Sequence, residues 1–136
     1  MIEQLEQERR WEELVEHETQ IWTDGLGQPP DRVDPDVRRR MVEWNLENYH
    51  AGQPAGKAQP LTPPAAGRLA EIGVPTLVVW GDLDTPGLIS AGERLGGEIR
   101  GARRHVFTGA AHMVNLERPA EFTSLVLDFL AEVGSR

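Results

Sequence analysis

There is no cysteine in this chain. That absence excludes a disulfide framework, a thiol nucleophile and any metal site built on cysteine. Basic residues are also short: 14 Lys and Arg stand against 22 Asp and Glu, a formal charge of −8. A chain this acidic, without a basic patch, argues against nucleic acid and anionic membrane surfaces as partners. Long apolar runs are missing, and Met1 opens a glutamate-rich segment. Neither a signal peptide nor a transmembrane span is therefore expected, and a cytoplasmic location is the default. The four histidines, His17, His50, His105 and His112, show no metal-ligand spacing, so neither metal nor cofactor is expected. At 136 residues the chain is one domain at most, long enough to bury about two-thirds of its unfolded surface.

What is present divides into three stretches. Residues 1–50 read as helical. An amphipathic helix is predicted over 2–22, with Trp11, Leu14, Val15, Ile21 and Trp22 near helical spacing and a solvated face of glutamates, among which His17 is expected to be exposed. Asp24-Gly25-Leu26-Gly27-Gln28-Pro29-Pro30 reads as a loop. Asp34-Pro35 opens a second helix, Asp34 as N-cap and Pro35 in the first helical position, with Val37, Met41 and Trp44 as its apolar stripe. The tryptophans read either as helix–helix core or as an aromatic wall over a pocket. Residues 51–66 hold four prolines and two glycines, which predicts a linker. Residues 67–136 carry the remaining pattern.

Within that last stretch, Val74–Val79 and Arg104–Phe107 have the length and β-branched content of short buried strands. About 20 residues separate them, enough for one helical crossover, so the strands should be parallel neighbours. Thr85-Pro86 starts that crossover, Leu88, Ile89, Ala91 and Leu95 give it a stripe, and Gly96, Gly97 and Gly101 are expected to end it. The final helix, about Pro119 to Val133, has the strongest pattern: Phe122, Leu125, Val126, Phe129, Leu130 and Val133. Two parallel strands send their following loops to the same sheet edge, where open α/β sheets place ligands. Asp84 in the first loop and His112 in the second can meet there, and a carboxylate aimed at an imidazole is the orienting half of a nucleophilic triad.

The motif Pro75–Trp80 followed by Gly81-Asp82-Leu83-Asp84, then Gly109-Ala110-Ala111-His112-Met113 and Asn115-Leu116-Glu117-Arg118-Pro119-Ala120-Glu121-Phe122, resembles the C-terminal part of an α/β-hydrolase. The resemblance covers residues 60–136 well and 1–50 loosely, as a lid. It implies a partial α/β-hydrolase fold: two parallel strands with crossover and C-terminal helices, plus an N-terminal helical lid segment. It makes Asp84 the triad acid, with Asp82 a turn residue, and His112 the triad base. Lid residues Trp22 and Trp44, with Met113, become substrate-binding candidates. Glu117 would support the His112 loop or the start of the last helix, with Arg118 beside it as a weak surface ion-pair partner.

The family's nucleophile sits in a Gly-x-Ser-x-Gly elbow, and these residues contain none. Ser90 and Ser124 fall in predicted helices and Ser135 at the terminus. The expectation is the C-terminal portion of a serine hydrolase acting on ester, lactone or amide bonds, inactive alone. The strand at 75–80 loses one neighbour and should pair with a second copy or with a complementary N-terminal half. The competing reading is a non-catalytic remnant or self-associating interaction module; a free-standing Asp–His base without a covalent step is a third.

Overall fold

A computed structural model describes residues 1–52, 56 and 59–135. Three helices come first: α1 (Ile2–Gln7), α2 (Trp11–Trp22) and α3 (Pro35–His50). Two short 3-10 turns, Ala65–Gly67 and Leu69–Glu71, lead into β1 (Leu77–Gly81), then α4 (Pro86–Glu98), β2 (Arg103–Phe107), the single turn α5 (Val114–Glu117) and α6 (Pro119–Gly134). Of the expected linker at 51–66, residues 53–55 and 57–58 lie outside the described residues.

The two strands run parallel, with Val78 opposite Arg104 and Trp80 opposite Val106. Strand periodicity then separates the side chains between two faces. Val79 and Phe107 turn toward α6, where Phe107, Ala110 and Val114 form the core with Phe122 and Leu125 packed against it. Trp80 turns the other way, its ring lying where a Cβ on Gly92 of α4 would come within 2.7 Å. Arg104 shares that face and lays its stem against Gly96. Helices thus cover both faces of the pair, the arrangement parallel strands require.

Four expectations are corrected. The helix predicted over 2–22 is two helices: Arg9 takes a left-handed backbone, φ 54°, and the turn folds Leu5 into a buried position against α2. Periodicity cannot register a break made by one residue in a run of charges. The crossover helix runs through Gly96 and Gly97 to Glu98, and the missing Cβ of Gly96 leaves room for the Arg104 stem rather than ending the helix. Trp44 is 46% exposed with the Arg40 guanidinium 5.8 Å from its ring centroid, so α3 buries only Met41 of its predicted stripe. Trp11, by contrast, stacks on Tyr49 at 5.0 Å. His17 is half-buried rather than exposed.

The helix with the strongest pattern has no fully buried residue. In α6, Phe122, Leu125, Val126, Phe129 and Val133 are half-buried, while Leu130 is 55% and Leu127 60% exposed. The cause is geometric: a two-stranded sheet offers too narrow a face to cover the stripe.

Candidate functional site

β1 ends at Gly81, and the loop after it is stitched to the loop after β2 by backbone hydrogen bonds. The Asp82 N–H donates to the Phe107 carbonyl (3.2 Å) and the Leu83 N–H to the Ala110 carbonyl (3.0 Å). The Asp82 side chain accepts from the Gly109 N–H at 2.7 Å, which places it in a structural turn. Gly81 permits the close approach. A Cβ there would fall 2.6 Å from the Ala110 carbonyl carbon and closer still to the carbonyl oxygens of Ala110 and Ala111.

These loops bring Asp84 and His112 together. One Asp84 oxygen accepts from the Thr85 N–H at 2.7 Å, and the other lies 2.8 Å from His112 Nδ1. The carboxylate is 4% exposed and the imidazole 41%. A carboxylate oxygen accepts, so with Asp84 as acceptor the hydrogen is assigned to Nδ1. Nε2, which has no hydrogen-bond partner among the described residues, is then the free acceptor. That is the tautomer a general base needs.

Trp22, at the end of α2, sets its ring 5.3 Å from the imidazole, tilted by 58°. Of the three expected binding residues the structure brings this one to His112. Met113 follows His112 in the chain and is half-buried as the N-cap of α5. Trp44 stands on the exposed side of α3. None of the three, Trp22 included, lines the cavity of about 190 Å³ beside the pair, whose walls include Val78, Val79, Trp80, Leu88 and Val114. Three consecutive residues of β1 line it, so it lies along that strand's unpaired edge. Ser90 sits in α4, Ser124 in α6, and the Ser135 hydroxyl donates to the Glu132 carbonyl; none reaches this cavity. Among the described residues no group of three His, Asp or Glu is placed to hold a metal ion.

A buried charge network was not visible in the sequence. Asp24 is fully buried and takes three contacts from the Arg38 guanidinium at 2.9–3.1 Å. Arg38 also donates to Glu16 at 2.6 Å, which holds the Glu16 carboxyl below its ordinary range. Arg32 donates to the carbonyls of Thr23, Asp24 and Gly109 and to the Glu117 carboxylate. Glu117 is 3% exposed and paired with Arg32; Arg118 meets only its backbone carbonyl, at 3.5 Å. The expected surface pair with Arg118 is therefore replaced by a buried pair reaching across 85 positions of sequence. The two charges cost too much to desolvate separately.

No family model matches the chain. It is 40% identical over 86 residues to a 2-hydroxy-6-oxononadienedioate/2-hydroxy-6-oxononatrienedioate hydrolase of Pseudomonas putida, covering 63% of this chain and 29% of that protein. The corresponding enzyme of Klebsiella pneumoniae is 37% identical over 87 residues, 64% of this chain and 30% of the enzyme. The chain thus spans less than a third of the curated relatives it matches. Among solved structures, MenH from Staphylococcus aureus superposes with a TM-score of 0.74 at 19% identity, over 96% of this chain and 49% of that one. An esterase from a Rhodococcus species gives 0.64 at 19% identity, over 92% and 43%.

Proposed function

We propose that this chain, whose α/β-hydrolase-like fold covers about half of the hydrolases it superposes on, supplies the acid and base of a serine hydrolase. The hydrogen bond of 2.8 Å from His112 Nδ1 to the buried Asp84 carboxylate carries the reading. In a completed site, His112 Nε2 takes the proton from an attacking serine hydroxyl and returns it to the leaving group. Asp84 holds the ring and stabilises the imidazolium. The attacking hydroxyl comes from outside these residues, contributed by further polypeptide in the same chain or by a second one. Residues 1–50 act as the lid and Trp22 as part of the substrate wall. The substrate is a small molecule with an ester, lactone or amide bond. The similarity to the Pseudomonas putida enzyme makes 2-hydroxy-6-oxo dienedioates the first compounds to assay.

The bare edge of β1 is where the complementary portion docks. Two observations support this: the half-covered α6 stripe, and a surface of 9399 Å² where a compact monomer of 15.2 kDa exposes roughly 7,100 Å². The excess of roughly 2,300 Å² is more than the roughly 800 Å² that each partner of a standard protein–protein interface buries. The test is reconstitution. The chain is combined with a Gly-x-Ser-x-Gly-bearing portion encoded beside it and assayed on short aryl esters and the dienedioates. We expect no turnover from the 136 residues alone and turnover from the complex that His112→Ala removes. Activity of the lone chain that persists in His112→Ala defeats the proposal. A homodimer that excludes the complementary portion favours the interaction-module reading.

A further inference from the structure

We infer that Arg32 and Glu117 are positioning residues: their buried ion pair sets the orientation of His112 and holds the lid residue Trp22 against it. The inference deepens the reading of Asp84 and His112 as an acid–base pair and rests on it.

Asp84 alone cannot fix the imidazole. One hydrogen bond leaves the ring free to swing about the contact, and the His112 side chain is 41% exposed. The remaining constraint must come from the backbone of the loop 109–112 and from whatever packs on the ring. Both converge on one guanidinium. Glu117 lies five positions after His112, and its Oε1 accepts the N–H of Ala111, the residue directly before the histidine, at 2.8 Å. Its Oε2 accepts from Arg32 Nη1, which also donates to the Gly109 carbonyl at 2.8 Å, three residues before the histidine. The loop is therefore gripped at both ends.

The same side chain grips the lid. Arg32 Nε donates to the Asp24 carbonyl at 2.6 Å and Nη2 to the Thr23 carbonyl at 2.8 Å. Thr23 directly follows Trp22, whose ring rests on His112. Four acceptors from two separate parts of the chain thus share one planar fork. A lysine cannot reproduce this, because its ammonium is a point on a flexible stem whereas the guanidinium spreads its donors over a fixed plane. Arg32 is 14% exposed and Glu117 3%, so water offers little substitute for either partner. Losing a charge-assisted hydrogen bond here frees the loop to open locally.

The test is the ring Nδ1 proton of His112, followed by NMR on the full chain labelled with ¹⁵N-histidine. In the wild type this proton should give a protected, downfield resonance that His112→Ala deletes. Its exchange with water should accelerate at least about tenfold in Arg32→Lys, the scale of one charge-assisted hydrogen bond, and Trp22 contacts to the ring should weaken with it. Glu117→Gln keeps an acceptor for the Ala111 N–H and discards the charge, so it should fall between; it carries the test alone if Arg32→Lys does not fold. Arg38→Lys perturbs the neighbouring lid pair without touching the loop and should leave the resonance protected. That contrast separates positioning from general destabilisation. A wild type with no protected resonance overturns the acid–base reading itself. A protected resonance that Arg32→Lys and Glu117→Gln leave unchanged, or that Arg38→Lys exposes equally, overturns this inference and leaves that reading standing.

Discussion

Replacing Gly81 with alanine places one methyl group at the point where the acid loop and the histidine loop cross. Gly81 has no left-handed backbone torsion to protect, so the entire effect is steric. The new Cβ falls 2.6 Å from the Ala110 carbonyl carbon, with two carbonyl oxygens nearer still. Carbon atoms in ordinary contact sit about 3.5–4.0 Å apart, so the loop must retreat by about 1 Å. The obstacle is backbone, tied down by the Leu83 N–H bond to the Ala110 carbonyl and by the Asp82 side-chain bond to the Gly109 N–H. It cannot yield by changing a rotamer. Overpacking of this kind costs about 1–3 kcal/mol, which for a chain of this length lowers the melting temperature by about 3–12 °C. A displacement of that size also stretches the 2.8 Å contact between Asp84 and His112 beyond hydrogen-bonding distance.

Two other glycines calibrate the prediction. A Cβ on Gly92 meets the Trp80 ring at 2.7–3.1 Å, a side chain able to shift, so Gly92→Ala should cost less than Gly81→Ala. A Cβ on Gly96 meets only the stem of Arg104, which is exposed and flexible. There the gain in helix propensity, about 1 kcal/mol for alanine over glycine, should offset the crowding. Thermal melts of the three variants should rank Gly81→Ala lowest and Gly96→Ala near the wild type. The His112 Nδ1 proton should lose protection only in Gly81→Ala. A Gly81→Ala chain that melts like the wild type and keeps that proton protected would refute the claim that close backbone approach assembles the site.

Arg38→Met leaves the fully buried Asp24 carboxylate without its partner and should cost about 3–5 kcal/mol in urea unfolding; the double variant with Asp24→Leu should recover much of that, and additive losses would contradict the burial. Tyr49, the only tyrosine in the chain, has its hydroxyl pushed up from 10.0 to about 12, first by burial and then by its hydrogen bond to Glu18. A raised folded-state value means the stabilisation is complete below about pH 10 and lost as pH climbs toward 12. Tyrosinate absorbance should therefore rise with unfolding, and Glu18→Gln should lower the midpoint only partly, because partial burial remains; a midpoint near 10 in a folded chain would contradict the part-buried, hydrogen-bonded hydroxyl.

The sheet and the juxtaposition of Asp84 with His112 were legible because local signals determine them. Strand length, a crossover of suitable length and two short loops leave little freedom. The lid network was not legible. Asp24 fell in a predicted loop, Arg32 and Arg38 carried no sequence signal, and only the folded chain removes all three from water. Glu117 does hold the His112 loop as expected, through the Ala111 N–H, but its ion-pair partner misled: Arg118 is its neighbour in sequence, whereas Arg32 is its neighbour in space. Trp44 followed the helical stripe, but α3 turns a narrower face to α2 than the stripe implies, and the ring stayed outside.

The misfit of α6 and the fit of the acid–base pair have one explanation. Three contacts that bear on His112 lie within these residues: the crossing at Gly81, the carboxylate of Asp84, and the ion pair of Arg32 with Glu117. On the proposed reading such a pair is organised before any nucleophile arrives, so completing the site would cost no reorganisation at the base. What these residues do not provide is cover. Leu127 and Leu130 remain exposed on α6, and among the described residues β1 pairs with β2 alone. A partner that buries the apolar stripe and adds a parallel strand to β1 would, by the same contact, deliver its own strand-end loop to the side of the sheet where His112 Nε2 is free. Docking and active-site completion would then be a single event, and hydrolytic activity should rise with the fraction of chain in complex.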